Sequence, residues 1–435
     1  MSLFTRRNLL ILLLAVLLFT VSVVGTYTFF TSQNPGANDF YPRWKGTQLF
    51  WQDGTDPYSQ EATAAIQRGI YGRLATAEED QVLFVYPFYT VFLLWPLINI
   101  DYAWVQAIWL VIVQFSLIGG VIVTLRLLEW RQPPWLLAIT LLWAVIMYNS
   151  TRTIILGQFA GPIFLWLAGT LLALKHERDV LAGALLSLAT LKPQMSYLII
   201  PALLLWAVWH RRWRFIAGFA GAMTLLAGLS FLLLPGWLTS FIDQVRFYPA
   251  YTVTPSPLRV ITGTFFPQLG QPVEYVLIGL LLLVMLWQWW QLRHEASVTR
   301  KFLFIISLTL IVTNSIIVRT ATTNYVIMYI PLFLLLHTIS RRWRGGNVWV
   351  AGILLVLLVG TWALFLATIE GDFEHPVTYL PLPIGLLLGL VWLSWGDKLG
   401  NAEANLALLN DAMEASDKAL KQIWDNDEDS IYDDL

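Results

Sequence analysis

The chain has 435 residues, of which 57% are hydrophobic, 14% aromatic and 13% charged, and its formal net charge is -1. No soluble domain of this length could cover so much apolar surface with polar groups, so the composition points to a membrane protein. The near-zero charge gives no basic field to attract nucleic acid, and the absence of cysteine excludes disulfides, thiolate metal sites and a cysteine nucleophile.

At the N-terminus, Arg6-Arg7 and the apolar run to Phe30 superficially resemble a twin-arginine export signal. The run is too long for a signal core, has no small-residue cleavage site and is followed by more apolar segments, so it reads as a retained first transmembrane helix. Similar segments recur near 103–125, 134–149, 160–174, 179–191, 194–209, 215–234, 272–291, 302–318, 323–339, 347–368 and 377–395. About 20 apolar residues cross a bilayer, so the expected fold is all-α, a polytopic transmembrane bundle of about twelve spans. Leu83 to Ile98 is read as a membrane-surface or re-entrant helix, because a full span there would reverse every later one. One side then collects Arg6, Arg7, Arg126, Arg131, Lys175, Arg178, Arg211, Arg212, Arg300, Lys301, Arg341 and Arg342. The positive-inside rule makes that side cytoplasmic, with both termini on it. The opposite side carries two long loops, 31–102 and 235–271, and turns containing Gln158, Lys192, Arg319 and Glu370.

The loop 31–102 is long enough to be functional. It opens with Asn38-Asp39-Phe40-Tyr41-Pro42-Arg43-Trp44. Phe40, Trp44 and Trp51 fall at helical spacing, which suits a helix lying in the headgroup region, or equally a loop anchored by its rings. Asp39 stands about nine residues past the first helix and therefore stays near the bilayer surface. A carboxylate at that depth can take a proton from a hydroxyl, or it can cap the helix that follows. Asp53 and Asp56, beside Gly54 and Pro57, suit turns. Pro87 forces Tyr86 out of helical geometry, so a helix is expected to start there.

Further on come Leu156-Gly157-Gln158, Leu191-Lys192-Pro193-Gln194 and Arg319-Thr320-Ala321-Thr322-Thr323-Asn324-Tyr325. An ammonium between two apolar helices, as at Lys192, is costly unless it snorkels to water or meets an anion such as phosphate. Arg152, Arg246, Arg259 and Arg319 fall on the same outer face, where a guanidinium can fork onto phosphate oxygens or remain a surface charge. Gln158 and Asn324 suit sugar hydroxyls, and equally helix packing or capping. Residues 1–395 thus read as one transmembrane domain, and 396–435 as an acidic cytoplasmic tail, solvated or serving as a docking peptide.

A carboxylate just past the first span, Gly54-x-Asp56-Pro57-Tyr58, Tyr86-Pro87, a Gly157-Gln158 turn and a Lys192-Pro193 turn together resemble glycosyltransferase family 87, over most of residues 8–395. Two departures stand out: Phe88 occupies a place where that family often has a second proline, and Arg319 to Tyr325 matches its late outer turn only loosely. The resemblance implies a GT-C-like enzyme of the plasma membrane with an extracytoplasmic site. Such an enzyme moves a hexose, mannose above all, from a polyprenyl phosphate carrier to a lipid or glycan acceptor with inversion. It implies Asp39 as general base, Lys192 and Arg319 on the donor phosphate, and Asp56, Tyr58, Tyr86, Gln158 and Asn324 around the substrates. No metal and no cofactor are expected. Two other readings stay open: a transporter or lipid flippase, and a GT-C enzyme for arabinosyl or glucosyl transfer. Ionisable groups at span ends rather than at mid-membrane weigh against transport.

Overall fold

The computed structural model describes residues 6–394, except 35, 253, 254, 318, 372 and 373, together with Ser416. Of the acidic tail only Ser416 falls among them. The chain divides into two compact units, Met1–Leu386 and Leu387–Leu435, and the architecture below belongs to the first.

Every one of the apolar segments anticipated from the sequence is helical. Among the described residues seven helices are long and apolar enough to cross a membrane: Leu13–Thr31, Tyr102–Leu127, Trp213–Leu233, Pro267–His294, Thr322–Arg342, Gly346–Thr368 and Pro376–Ser394. Pro134–Ile146 and Tyr148–Ile155 form a pair bent by 50° that together qualify as an eighth. Ala160–Lys175, Asp179–Leu191 and Ile199–Trp209 are apolar but shorter. At about 1.5 Å per residue these fall short of the ~30 Å hydrocarbon core. The expected twelve thus resolves into full-length helices and part-length ones.

Burial sorts them into layers. The window of Thr322–Arg342 is 89% buried and that of Tyr102–Leu127 is 56% buried, whereas that of Leu13–Thr31 is 6% buried and exposes Leu13, Leu14, Leu17 and Leu18. Exposed leucines along a helix are lipid-facing surface rather than a defect, because hydrocarbon solvates them. Small residues let neighbouring helices touch. A Cβ on Gly183 would meet the Phe215 carbonyl oxygen at 2.2 Å, and one on Gly218 would meet that of Val180 at 2.4 Å. Such mutual glycine contact replaces the hydrophobic drive that lipid cannot supply.

Basic residues gather at one end. Lys175 pairs with Glu129 at 3.0 Å, Arg212 with Asp179 at 2.6 Å and Lys301 with Glu295 at 3.4 Å. Lys175 also shares a cavity of about 220 Å³ with Arg300, Arg341 and Arg342. The loop 31–102 packs at the opposite helix ends, where Tyr102 donates to the Gly36 carbonyl at 2.8 Å.

Within that loop, Tyr41–Asp53 and Gln60–Tyr71 are helices. The first stops at left-handed Gly54, and the second starts where the Ser59 hydroxyl accepts the Ala62 N–H at 3.1 Å. The aromatic stripe divides: Phe40 and Trp44 are buried against protein, whereas Trp51 is 37% exposed while its indole donates to the Val91 carbonyl at 3.2 Å. Phe40 is fully buried and stacks on Trp109 at 4.7 Å, and the Trp44 indole donates to the Leu97 carbonyl at 3.0 Å. The segment Leu83 to Ile98 forms only Thr90–Leu94 and the turn Trp95–Leu97, too short to cross a bilayer.

Candidate active site

Where the loop meets the helix ends, a cavity of about 420 Å³ opens. Its wall includes Asp39, Tyr86, Gln158, Lys192, Arg319 and Asn324, brought together from five separate stretches of chain. Asp56 and Tyr58 do not line it. The Asp56 carboxylate accepts the Tyr58 N–H at 2.8 Å, and the Tyr58 hydroxyl donates to the Tyr86 carbonyl at 2.6 Å, so both brace the segment behind Tyr86.

Asp39 does not cap the helix that follows it; Phe40 occupies the cap position without a side-chain bond. Its Oδ2 accepts a hydrogen bond from the Gln158 amide at 2.6 Å, and Lys192 donates to the other end of that amide, Gln158 Oε1. The amide therefore couples a carboxylate to an ammonium without letting them touch. Among the described residues Asp39 Oδ1 has no protein partner and remains available to a ligand. Asp39 is the only carboxylate among the described residues that line this cavity. Asp80 lies outside the wall; burial pushes its carboxyl up, and Asp39 adds to that effect.

Three local features hold the arrangement. Gly157 sits at φ 66° and its carbonyl accepts the Trp109 indole N–H at 2.7 Å, which fixes the turn that presents Gln158. Lys192 fills the break between the apolar helices Asp179–Leu191 and Ile199–Trp209 and is 3% exposed. Val85 holds φ 31°, costly for a β-branched residue, while its N–H donates to Gln244 Oε1 at 2.9 Å. That kink delivers Tyr86 to the wall.

Burial pushes the Lys192 ammonium down to about 7, against the opposing pull of Asp39 and with a smaller push from Arg43. Arg43 was not singled out in the sequence, although it stands one helical turn beyond Asp39. Its guanidinium lies 4.4 Å over the Tyr86 ring, and its Nη1 donates to the Asp39 carbonyl at 2.7 Å. Arg319 donates from Nη2 to the Pro249 carbonyl at 3.1 Å. The Nε of both arginines is buried with no hydrogen-bond partner, and so is Asn324 Oδ1. Buried polar atoms are normally satisfied, so orphaned donors around a cavity point to a ligand that accepts from them. Tyr248, also on the wall, carries no motif that would have marked it.

The other arginines on this side divide. Arg246 is 78% exposed and pairs with Asp243 at 3.7 Å. Arg259 pairs with Glu274 at 3.0 Å, and Arg152 with the buried Glu374 at 3.3 Å. Among the described residues no group of three or more His, Asp or Glu could hold a metal ion.

The family model of glycosyltransferase family 87 matches residues 84–318, more than half of the chain. No curated protein and no solved structure matches the chain.

Proposed function

Because the chain belongs to glycosyltransferase family 87 and is a membrane glycosyltransferase, we propose that it moves a hexose, mannose by resemblance, from a polyprenyl phosphate carrier to a lipid or glycan acceptor. In this reading the reaction runs at the extracytoplasmic face of the plasma membrane with inversion. One observation carries it: a carboxylate with a free oxygen shares a cavity with two guanidiniums whose buried Nε atoms lack partners.

The chemistry is a single displacement. The acceptor hydroxyl oxygen bonds to the anomeric carbon as Asp39 Oδ1 takes its proton. The bond from that carbon to the phosphate oxygen breaks, and its electron pair leaves with the polyprenyl phosphate. Gln158 holds Oδ2 so that the free oxygen keeps its aim, a positioning role. Arg43, Arg319 and Lys192 stabilise the charge on the departing phosphate, where preorganised cations count most. A double displacement would need a second carboxylate about 5 Å from the first at the reacting carbon. Asp39 alone on the described wall favours inversion. Apolar wall residues such as Phe241, Ile242 and Val245 suit the isoprenoid end of the carrier.

Asp39→Asn keeps the Gln158 contact geometry but removes the base. Membranes incubated with labelled polyprenyl-phosphate-mannose are expected to lose transfer by about 10²–10⁴-fold with this variant, while expression and thermal stability persist. Near-normal transfer by Asp39→Asn would remove Asp39 as the base, and preference for another lipid-linked sugar would replace mannose.

A further inference from the structure

Beside the first cavity lies a second of about 560 Å³. Arg319 is the one described residue common to both walls, so the two cavities adjoin at its side chain. We propose that this second cavity is the acceptor subsite and that it takes the neutral, hydroxyl-rich end of a glycan; the proposal rests on the glycosyl-transfer reading above.

The wall chemistry carries this assignment. The first cavity mixes guanidiniums whose buried Nε atoms lack hydrogen-bond partners with apolar side chains, which suits a phosphate on an isoprenoid chain. The second offers Arg259, Arg319, Glu370, Glu374, His375 and Thr264, so it holds both donors and acceptors. Most of that charge is already matched within the protein. Arg259 is held by Glu274 at 3.0 Å. Glu374 is held by the hydroxyls of Tyr148, Thr322 and Tyr379 and by Arg152 at 3.3 Å. Arg319 and Glu370 remain, one of each sign, so the described wall has no field that would select a strongly charged ligand. His375 Nδ1 accepts the Val377 N–H at 3.2 Å, which leaves Nε2 to carry the proton of the neutral ring as a donor. Hydroxyls both give and take hydrogen bonds, and this lining can do both. The volume lies in the usual range of ligand pockets, roughly 300–1,000 Å³.

Placement adds a second argument. A hydroxyl arriving from this side passes Arg319 to reach the first cavity, where Asp39 Oδ1 is unoccupied by protein. Donor and acceptor would then enter by separate cavities that adjoin at Arg319.

The test uses the full-length protein in nanodiscs, titrated calorimetrically with hexyl α-mannoside and, separately, with polyprenyl-phosphate-mannose. Wild type is expected to bind the alkyl mannoside without donor. Thr264→Trp, which fills the cavity from an exposed position, and Glu370→Gln, which removes a charged acceptor, are each expected to weaken that binding about tenfold while donor affinity stays within about twofold. Alkyl mannoside binding that is absent in wild type, or unaltered in both folded variants, overturns the assignment. So does an equal loss of donor affinity, which would make this cavity part of the donor site. Binding that follows the expected pattern in a protein that transfers no sugar upholds the glycan site and sinks the transferase mechanism instead.

Discussion

At Lys192, burial and function pull in opposite directions. The side chain is 3% exposed in the break between two apolar helices, and desolvation brings its ammonium down to about 7 although Asp39 stands across the Gln158 amide. A donor phosphate bound beside it, as proposed, would restore the charged form. Below about pH 7 the group is already protonated and donor affinity is flat; above it, binding must take up a proton and weakens, by at most about tenfold per pH unit. Lys192→Arg stays charged throughout and is expected to bind donor with no such slope. Titrating labelled donor against both proteins from pH 6 to 9 checks this, and a wild-type affinity that does not fall above pH 7 would detach Lys192 from the phosphate. Legibility at this scale depended on the reach of each partnership. Asp39, Gln158 and Lys192 were visible as polar residues in turns between apolar runs, and Arg43 was within reach because it stands four places after Asp39 on one helix face. Glu374 was not, since its bond to Tyr148 joins residues 226 positions apart and neither one stands in a motif.

The element that aims the site is the turn at Gly157. Its φ of 66° is unfavourable for any residue with a Cβ, and an added Cβ would stand 2.8 Å from Phe40 Cβ and 2.9 Å from Ala37 Cβ. Gly157→Ala therefore costs about 1–2 kcal/mol in backbone conformation and about 1–3 kcal/mol in overpacking. It also pushes Gln158 away from Asp39, so both the melting temperature and the transfer rate are expected to fall. A variant with unchanged stability and rate would mean that the turn relaxes freely. Apolar runs announced nearly every helix, because hydrocarbon imposes length and composition on any segment that crosses it. The stripe of Phe40, Trp44 and Trp51 left two readings open for a physical reason: rings at helical spacing look alike whether they face lipid headgroups or another helix. Only the depth of the Trp109 neighbourhood, where Phe40 stacks, separates the two.

For the whole molecule, the decisive property is which end faces outward. The ion pairs of Lys175, Arg212 and Lys301 mark one end of the first unit, and the Asp39 cavity lies at the other. Because clustered arginines and lysines are costly to move across a membrane, the basic end is expected on the cytoplasmic side. A chain without cysteine makes the test clean, because a single introduced thiol is the only one to react. Arg246 is 78% exposed near the cavity and Glu129 is 74% exposed at the basic end. In intact cells a membrane-impermeant maleimide is expected to label Arg246→Cys at once and Glu129→Cys only after permeabilisation. The reverse pattern would put the site in the cytoplasm, where a soluble nucleotide sugar would be the accessible donor. Labelling of both thiols from one side would break the link between charge and orientation. Since a lipid-linked donor is required only where nucleotide sugars are out of reach, this sidedness decides which donor chemistry the Asp39 cavity has to serve.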